Sequence, residues 1–372
     1  MGSVSEPARI LGVGIIGCGD ITQVGHLNVF GYLSHLFKVV YLCDKSDLAL
    51  EYCQNRVMGG TPKITRDHAV LCAAPEVDIV VVATSDEYHA VQTIEGLKND
   101  KFVFVEKPMA LCQRDADLIV EAESKSKGKV MVGYMRRYAP AFLDAVKEIG
   151  GMEKILYARV RDIIGPNAGF VHQSGTFPRN FGDIKKEDAD DRTAKASELV
   201  SQALAKECHV PVSEASTLMW RALGGLGSHD LSVMREALGM PTAVLGASLG
   251  FPFWNVLFQY PNFPVSYESG LDGIPRFDAH IEIYGETKSV RVQYDSPYVK
   301  GLPTTMHIQE NVDGAFRETM IRKTYEDNYT IEMQELYRMV VEGKAIKTTA
   351  ADAKKDLEIF QMVMQAGAKT VS

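Results

Sequence analysis

The sequence predicts two domains: a doubly wound parallel α/β sheet, then an α+β domain built on a mostly antiparallel, open-faced sheet. Three observations carry that reading. The first third alternates short β-branched runs with helical patterns, the grammar of βαβ units. That alternation stops near Tyr138, and strand-like segments rich in aromatics appear between Val244 and Thr305. The chain has 372 residues, enough for two ordinary domains, and the division is placed at 1–135 and 136–372.

Strands are expected at Leu11–Ile16, Val39–Cys43, Ile79–Thr84, Phe102–Val105 and Val130–Gly133. Helical spacing marks Leu48–Arg56, Tyr88–Asn99 and Ala116–Ser126. The run VVVAT is apolar throughout because crossover helices cover both faces of a parallel sheet. In the second domain, Ala279–Tyr284 and Ser289–Tyr294 flank the turn Gly285 to Lys288 and read as an antiparallel hairpin. Helices are expected over 140–149 and 228–238, and two more, Ile331–Glu342 and Ala350–Met364, close the chain. The stretch Asp183–Glu207 holds seven acids and five bases, with a solvated helix over Ala194–Lys206. It reads as a surface insertion or lid arm inside a charged insertion at about 180–220. The aromatic stretch Phe251–Tyr260 reads as sheet core or oligomer interface.

Composition narrows the function classes. With 40 basic and 48 acidic residues the formal charge is −8, so nucleic acid is not an expected partner. No apolar run reaches the roughly 18 residues of a membrane span, and no membrane association is expected. The six cysteines form no C-x-x-C pair, which suits reduced thiols, a cytoplasmic location and no metal site. Near the start, Glu6 stands where an N-myristoylation motif wants Ser or Thr.

The first strand runs into Gly17-Cys18-Gly19-Asp20-Ile21-Thr22, which carries two glycines of G-x-G-x-x-G and puts Thr22 at the third. An acid, Asp44, ends the second strand 25 residues after Gly19. Gly17 permits the tight turn, Gly19 lets backbone approach a pyrophosphate, and the N–H groups at the helix start receive its charge. Asp44 would bind the adenosine ribose and repel a 2′-phosphate, favouring NAD. Lys45 and Ser46 could still receive a 2′-phosphate if Asp44 turned away, so NADP stays open.

Two further motifs carry a resemblance. Ala83-Thr84-Ser85-Asp86-Glu87-Tyr88-His89 is followed by Glu106-Lys107-Pro108, and Gly133-Tyr134-Met135-Arg136-Arg137-Tyr138-Ala139-Pro140 lies beyond. The chain resembles the glucose–fructose oxidoreductase, inositol dehydrogenase and MocA (Gfo/Idh/MocA) family of Rossmann-fold oxidoreductases. The resemblance is weakest between about Arg179 and Arg221. It implies Thr84, Ser85 and His89 under the dinucleotide, although Ser85 and Asp86 replace the usual Pro and Asn. It implies Glu106 and Arg136 at the cofactor and Lys107 as the reactive-site lysine. In Gly224-Gly225-Leu226-Gly227-Ser228-His229-Asp230-Leu231-Ser232 it implies His229 as general base, with Gly225 and Ser232 where the family carries aspartates.

What the resemblance implies is an NAD(P)-dependent dehydrogenase acting on a CH–OH group of a cyclic polyol or aldose. His229 would take the hydroxyl proton and Lys107 would stabilise the developing alkoxide. Tyr134, Arg136, Arg161 and Asp162 are candidate substrate contacts, with Arg136 and Arg137 equally suited to interdomain ion pairs. Two alternatives stay open: NAD-dependent glycoside cleavage through transient oxidation, and a non-enzymatic dinucleotide-binding regulator. A homo-oligomer, dimer or tetramer, is expected by family analogy.

Overall fold

The computed structural model describes residues 9–371; Glu6 and its motif reading lie outside them. Six parallel strands form the first sheet: β1 (Leu11–Ile16), β2 (Phe37–Cys43), β3 (Lys63–Thr65), β4 (Ile79–Val82), β5 (Phe102–Glu106) and β6 (Val130–Gly133). Their order, β3-β2-β1-β4-β5-β6, reverses between β1 and β4. β1, β4 and β6 are fully buried, as expected of strands covered on both faces. The short edge strand β3, largely exposed, was not expected; three residues, Lys-Ile-Thr, leave no period to read.

The second sheet has eight strands: β7 (Ile155–Ile164), β8 (Ala243–Ser248), β9 (Phe253–Gln259), β10 (Pro264–Leu271), β11 (Phe277–Gly285), β12 (Lys288–Tyr294), β13 (Thr305–Val312) and β14 (Ala315–Ile321). Their order is β14-β13-β12-β11-β7-β10-β9-β8, and only β7 and β10 pair in parallel. The expected hairpin is present, with Tyr284 opposite Ser289 and Ala279 opposite Tyr294. The sheet continues past Thr305, and its centre, β7, was not anticipated.

Alternation along β7 decides what reaches the interior. Ala158, Val160 and Asp162 are buried under helices, whereas Arg159 and Arg161 point to the opposite face. On that open face they pair with Glu268, and Arg161 also with Asp278. Leu245, Phe253 and Leu257 are exposed on the β8–β9 side.

The helices Pro140–Gly150 and Ser228–Leu238 cover the inner face of this sheet, within a residue of expectation. Helix Asn328–Glu342, capped by Asp327, returns to the first sheet. Its Tyr337 ring meets Phe37 edge-on, and the Tyr337 hydroxyl donates to the Arg9 carbonyl at 3.0 Å. Helix Ala350–Gly367 packs between the sheets, held by Arg235, which pairs with Asp352 and Asp356. The charged arm is helical from Lys186, earlier than expected, because Glu187 and Asp188 favour the positive end of the helix dipole. It is not wholly solvated: Leu199, Val200, Ala203 and Leu204 are buried. All six cysteines are free and buried. No helix among the described residues is long and apolar enough to cross a membrane.

Candidate active site

The crevice lies where the strand order reverses, at the carboxyl ends of β1 and β4, with β5 beside them; doubly wound sheets bind ligands there. Gly17 leaves β1 with φ +103°, and a Cβ there would sit 2.4 Å from the Ala83 carbonyl oxygen at the end of β4. Only glycine fits that turn. A Cβ on Gly19, by contrast, would meet nothing within 4 Å, so the backbone faces open space on the side from which a pyrophosphate would approach. Thr22, at the third glycine position, is buried and donates its hydroxyl to the Gly17 carbonyl at 2.7 Å, locking the loop. Asp20 and Ile21 begin the helix. Asp44 accepts from the Cys18 N–H at 2.7 Å and from the Ser46 N–H at 2.8 Å, which fixes its carboxylate beside the loop with lone pairs to spare. This cradle fits a dinucleotide.

At the end of β4, the Thr84 hydroxyl donates to Gln92 at 2.7 Å and Ser85 is half-buried. Both ring nitrogens of His89 face carbonyl oxygens, Pro108 at 2.7 Å and Thr84 at 3.1 Å. His89 therefore staples the β4 loop to the loop after β5 and has no ring nitrogen left for a ligand. Glu106 ends β5, with its Oε1 3.0 Å from Nε2 of the buried His26. Burial opposes the charged carboxylate, but His26 and the charge of Lys107 outweigh it and hold Glu106 below its ordinary value.

Lys107 follows, on a cis bond to Pro108, and its ammonium donates to the Gly225 carbonyl at 2.6 Å. Burial lowers its pKa below that of a free lysine. Gly225 belongs to one continuous helical run, Glu214–Ala222, a π-helical turn Leu223–Gly227, and Ser228–Leu238. Gly224 lets that run come close: a Cβ there would touch Pro108 Cγ at 3.1 Å. His229 stands in the first turn of the last segment. Desolvation, then the charges of Lys107 and Arg136, push it well below the usual histidine range, so it is neutral at neutral pH. Where Asp was expected at 225, the structure offers a backbone carbonyl to the lysine instead.

Several expected substrate contacts are committed elsewhere. Arg136 is buried, 3.0 Å from Asp162 and in contact with Asp230, with its guanidinium over the Phe277 and Tyr294 rings. Burial and the neighbouring Asp162 raise Asp230 well above its ordinary value. The Tyr134 hydroxyl is buried against Asp356 at 2.5 Å. Arg161 lies across the sheet, on the wrong face. Arg137 pairs with Glu236 and Asp352, as the ion-pair alternative required. One residue was missed: Tyr298, on the loop after β12, sits among Asp20, Glu106, Arg136 and Asn167, and burial raises its pKa. Nothing in its local sequence distinguishes it from a loop tyrosine. Among the described residues no His, Cys, Asp and Glu cluster could hold a metal ion.

Residues 11–134 match the model of an oxidoreductase family with an NAD-binding Rossmann fold. Among curated relatives, inositol 2-dehydrogenase of Salmonella typhimurium is 30% identical over 141 residues, 37% of this chain and 39% of that protein. The inositol 2-dehydrogenase/D-chiro-inositol 3-dehydrogenase of Lactiplantibacillus plantarum is 32% identical over 147 residues, 38% of this chain and 40% of that one. These matches span about 40% of the relatives' length. Over nearly the whole chain the fold resembles levoglucosan dehydrogenase solved with NADH and levoglucosan, with a TM-score of 0.72, 17% identity and coverage of 97% and 98%. Aldose–aldose oxidoreductase from Caulobacter crescentus has a TM-score of 0.70 at 16% identity and the same coverage.

Replacing Arg136 by Met leaves two buried carboxylates without their cation and is expected to cost about 3–5 kcal/mol, read as a lower denaturant midpoint. An unchanged midpoint with weaker dinucleotide binding would return Arg136 to the cofactor.

Proposed function

We propose that the chain is an NAD-dependent dehydrogenase that oxidises a secondary alcohol of a cyclic polyol or aldose. One observation carries the reading: a cation, Lys107, and a neutral histidine, His229, stand together at the carboxyl end of β5, in the crevice beside the glycine loop. The inositol dehydrogenases and levoglucosan dehydrogenase to which it is similar support the substrate class.

Bound NAD supplies the hydride acceptor. The N–H groups at Gly19, Asp20 and Ile21 would hold the pyrophosphate, and Asp44 would receive the ribose hydroxyls. His229 takes the substrate's hydroxyl proton. Lys107, aimed by the Gly225 carbonyl, places positive charge at the same oxygen as it becomes an alkoxide, an effect of roughly 3–4 kcal/mol in comparable sites. Glu106 would border the nicotinamide, with Tyr298 buried near it. The exposed apolar residues of β8 and β9 support a homo-oligomer that pairs open sheet faces.

The test is absorbance at the NADH band, with NAD and then NADP, over inositols, aldoses and methyl glycosides. NADH accumulation with a free polyol or aldose is expected. A methyl glycoside consumed without net NADH would make the chain a glycoside-cleaving enzyme instead, and no turnover with any of them would favour a regulator. Lys107→Met is expected to bind NADH nearly as wild type while turnover falls about 100-fold or more; unchanged turnover removes Lys107 from the chemistry. In the pH profile, activity should persist below pH 6.5, because the base stays neutral until pH falls through the depressed value of His229. An acid limb at the usual histidine value, or one retained in His229→Gln, would assign the base elsewhere.

A further inference from the structure

Resting on the dinucleotide reading above, we propose that Asp183 and Asp188, carried across from the second domain on the charged arm, fill the ground a 2′-phosphate would need and restrict the chain to NAD. In doubly wound nucleotide domains a 2′-phosphate is met just after the ribose-reading acid, by a nearby cation and by free N–H groups opening the next helix. Here that ground is Lys45, Ser46 and the start of helix Asp47–Gln54, with Arg66 beside it after β3.

Each of these groups is already engaged by a carboxylate. The Ser46 hydroxyl donates to one oxygen of Asp183, and the Leu48 N–H donates to the other at 3.1 Å. Lys45 Nζ lies 3.8 Å from Asp188; Arg66 spans Asp188 at 3.4 Å and Asp47 at 3.1 Å. The hydrogen bonds from Ser46 and Leu48 hold the Asp183 carboxyl below its ordinary value, so it is an anion at neutral pH. An incoming phosphate would face Asp44, Asp183 and Asp188 together and find its donors and cations taken.

The arm is anchored on both sides of Asp183. Before it, the Tyr52 hydroxyl donates to the Phe177 carbonyl at 2.7 Å, and Gln23, in the helix after the glycine loop, exchanges hydrogen bonds with the Arg179 backbone at 2.8 and 3.0 Å. After it, the Tyr88 hydroxyl donates to Asp191 at 2.7 Å. The carboxylate is therefore held in place from the other domain, and the residues Lys45 and Ser46, which the sequence left available for a 2′-phosphate, are not free.

The test titrates NADH and NADPH, by their fluorescence, into the wild-type chain, Asp183→Asn and Asp183→Asn/Asp188→Asn. The wild type should prefer NADH. Asp183→Asn should tighten NADPH about tenfold with NADH within about twofold, and the double variant should tighten NADPH further. An unchanged NADPH:NADH affinity ratio in both variants, or a wild type that binds NADPH as tightly as NADH, overturns the proposal while leaving dinucleotide binding intact. A wild type that binds neither overturns both readings. Should Asp183→Asn not fold, Asp188→Asn alone, on a helix surface, carries the same ratio test.

Discussion

The site depends on the docking of the Glu214–Leu238 helical run against the end of β5. Trp220 donates to the Leu111 carbonyl at 2.9 Å, Gly224 lies against Pro108, and Gly225 accepts from Lys107, so one short contact aligns the second domain with the strand ends of the first. The π-helical turn sits at this contact. Such turns are frequent at functional sites, and His229 stands in the helical turn that follows this one. Without a Cβ at 224 the run approaches Pro108 closely enough for the Gly225 carbonyl to hold the lysine. A carboxylate at 225 would pair with that ammonium as a charge; the carbonyl positions it without neutralising it.

Behind the contact, charge is arranged in buried groups rather than at the surface. Arg136 between Asp162 and Asp230, and Arg235 with Asp352 and Asp356, tie the linker after β6, the inner face of the second sheet and helix Ala350–Gly367 into one body. Buried ion pairs of this kind add little net stability, yet removing one partner is costly. Arg136 also acts on the site from a distance, since its charge adds to that of Lys107 in keeping His229 neutral.

Much of the architecture was legible because each strand of the first sheet is a short β-branched run and each turn carries its own punctuation. The hairpin β11–β12 and the helices 140–150 and 228–238 were legible for the same reason. What escaped were features without a local signature. β3 is three residues long, and β7 mixes charged and apolar side chains on its two faces. The parity of β7 explains the error on Arg161: adjacent residues in a strand point oppositely, so Arg161 and Asp162 could not both have reached one pocket. Asp44 lies against the glycine loop, and Lys107 lies against the helical run that carries His229. Tyr298 and the arm acids arrive from segments whose placement only tertiary packing determines.

In the proposed reaction Lys107 and His229 flank the reacting carbon of a dinucleotide seated on the Gly17–Ile21 loop. A crystal structure of the chain with NADH tests it most directly. The pyrophosphate is expected on the N–H groups of Gly19, Asp20 and Ile21, and the nicotinamide C4 facing a space bounded by Lys107 Nζ and His229, close enough for a substrate carbon at roughly 3–3.5 Å. A nicotinamide ring seated away from both side chains would contradict it.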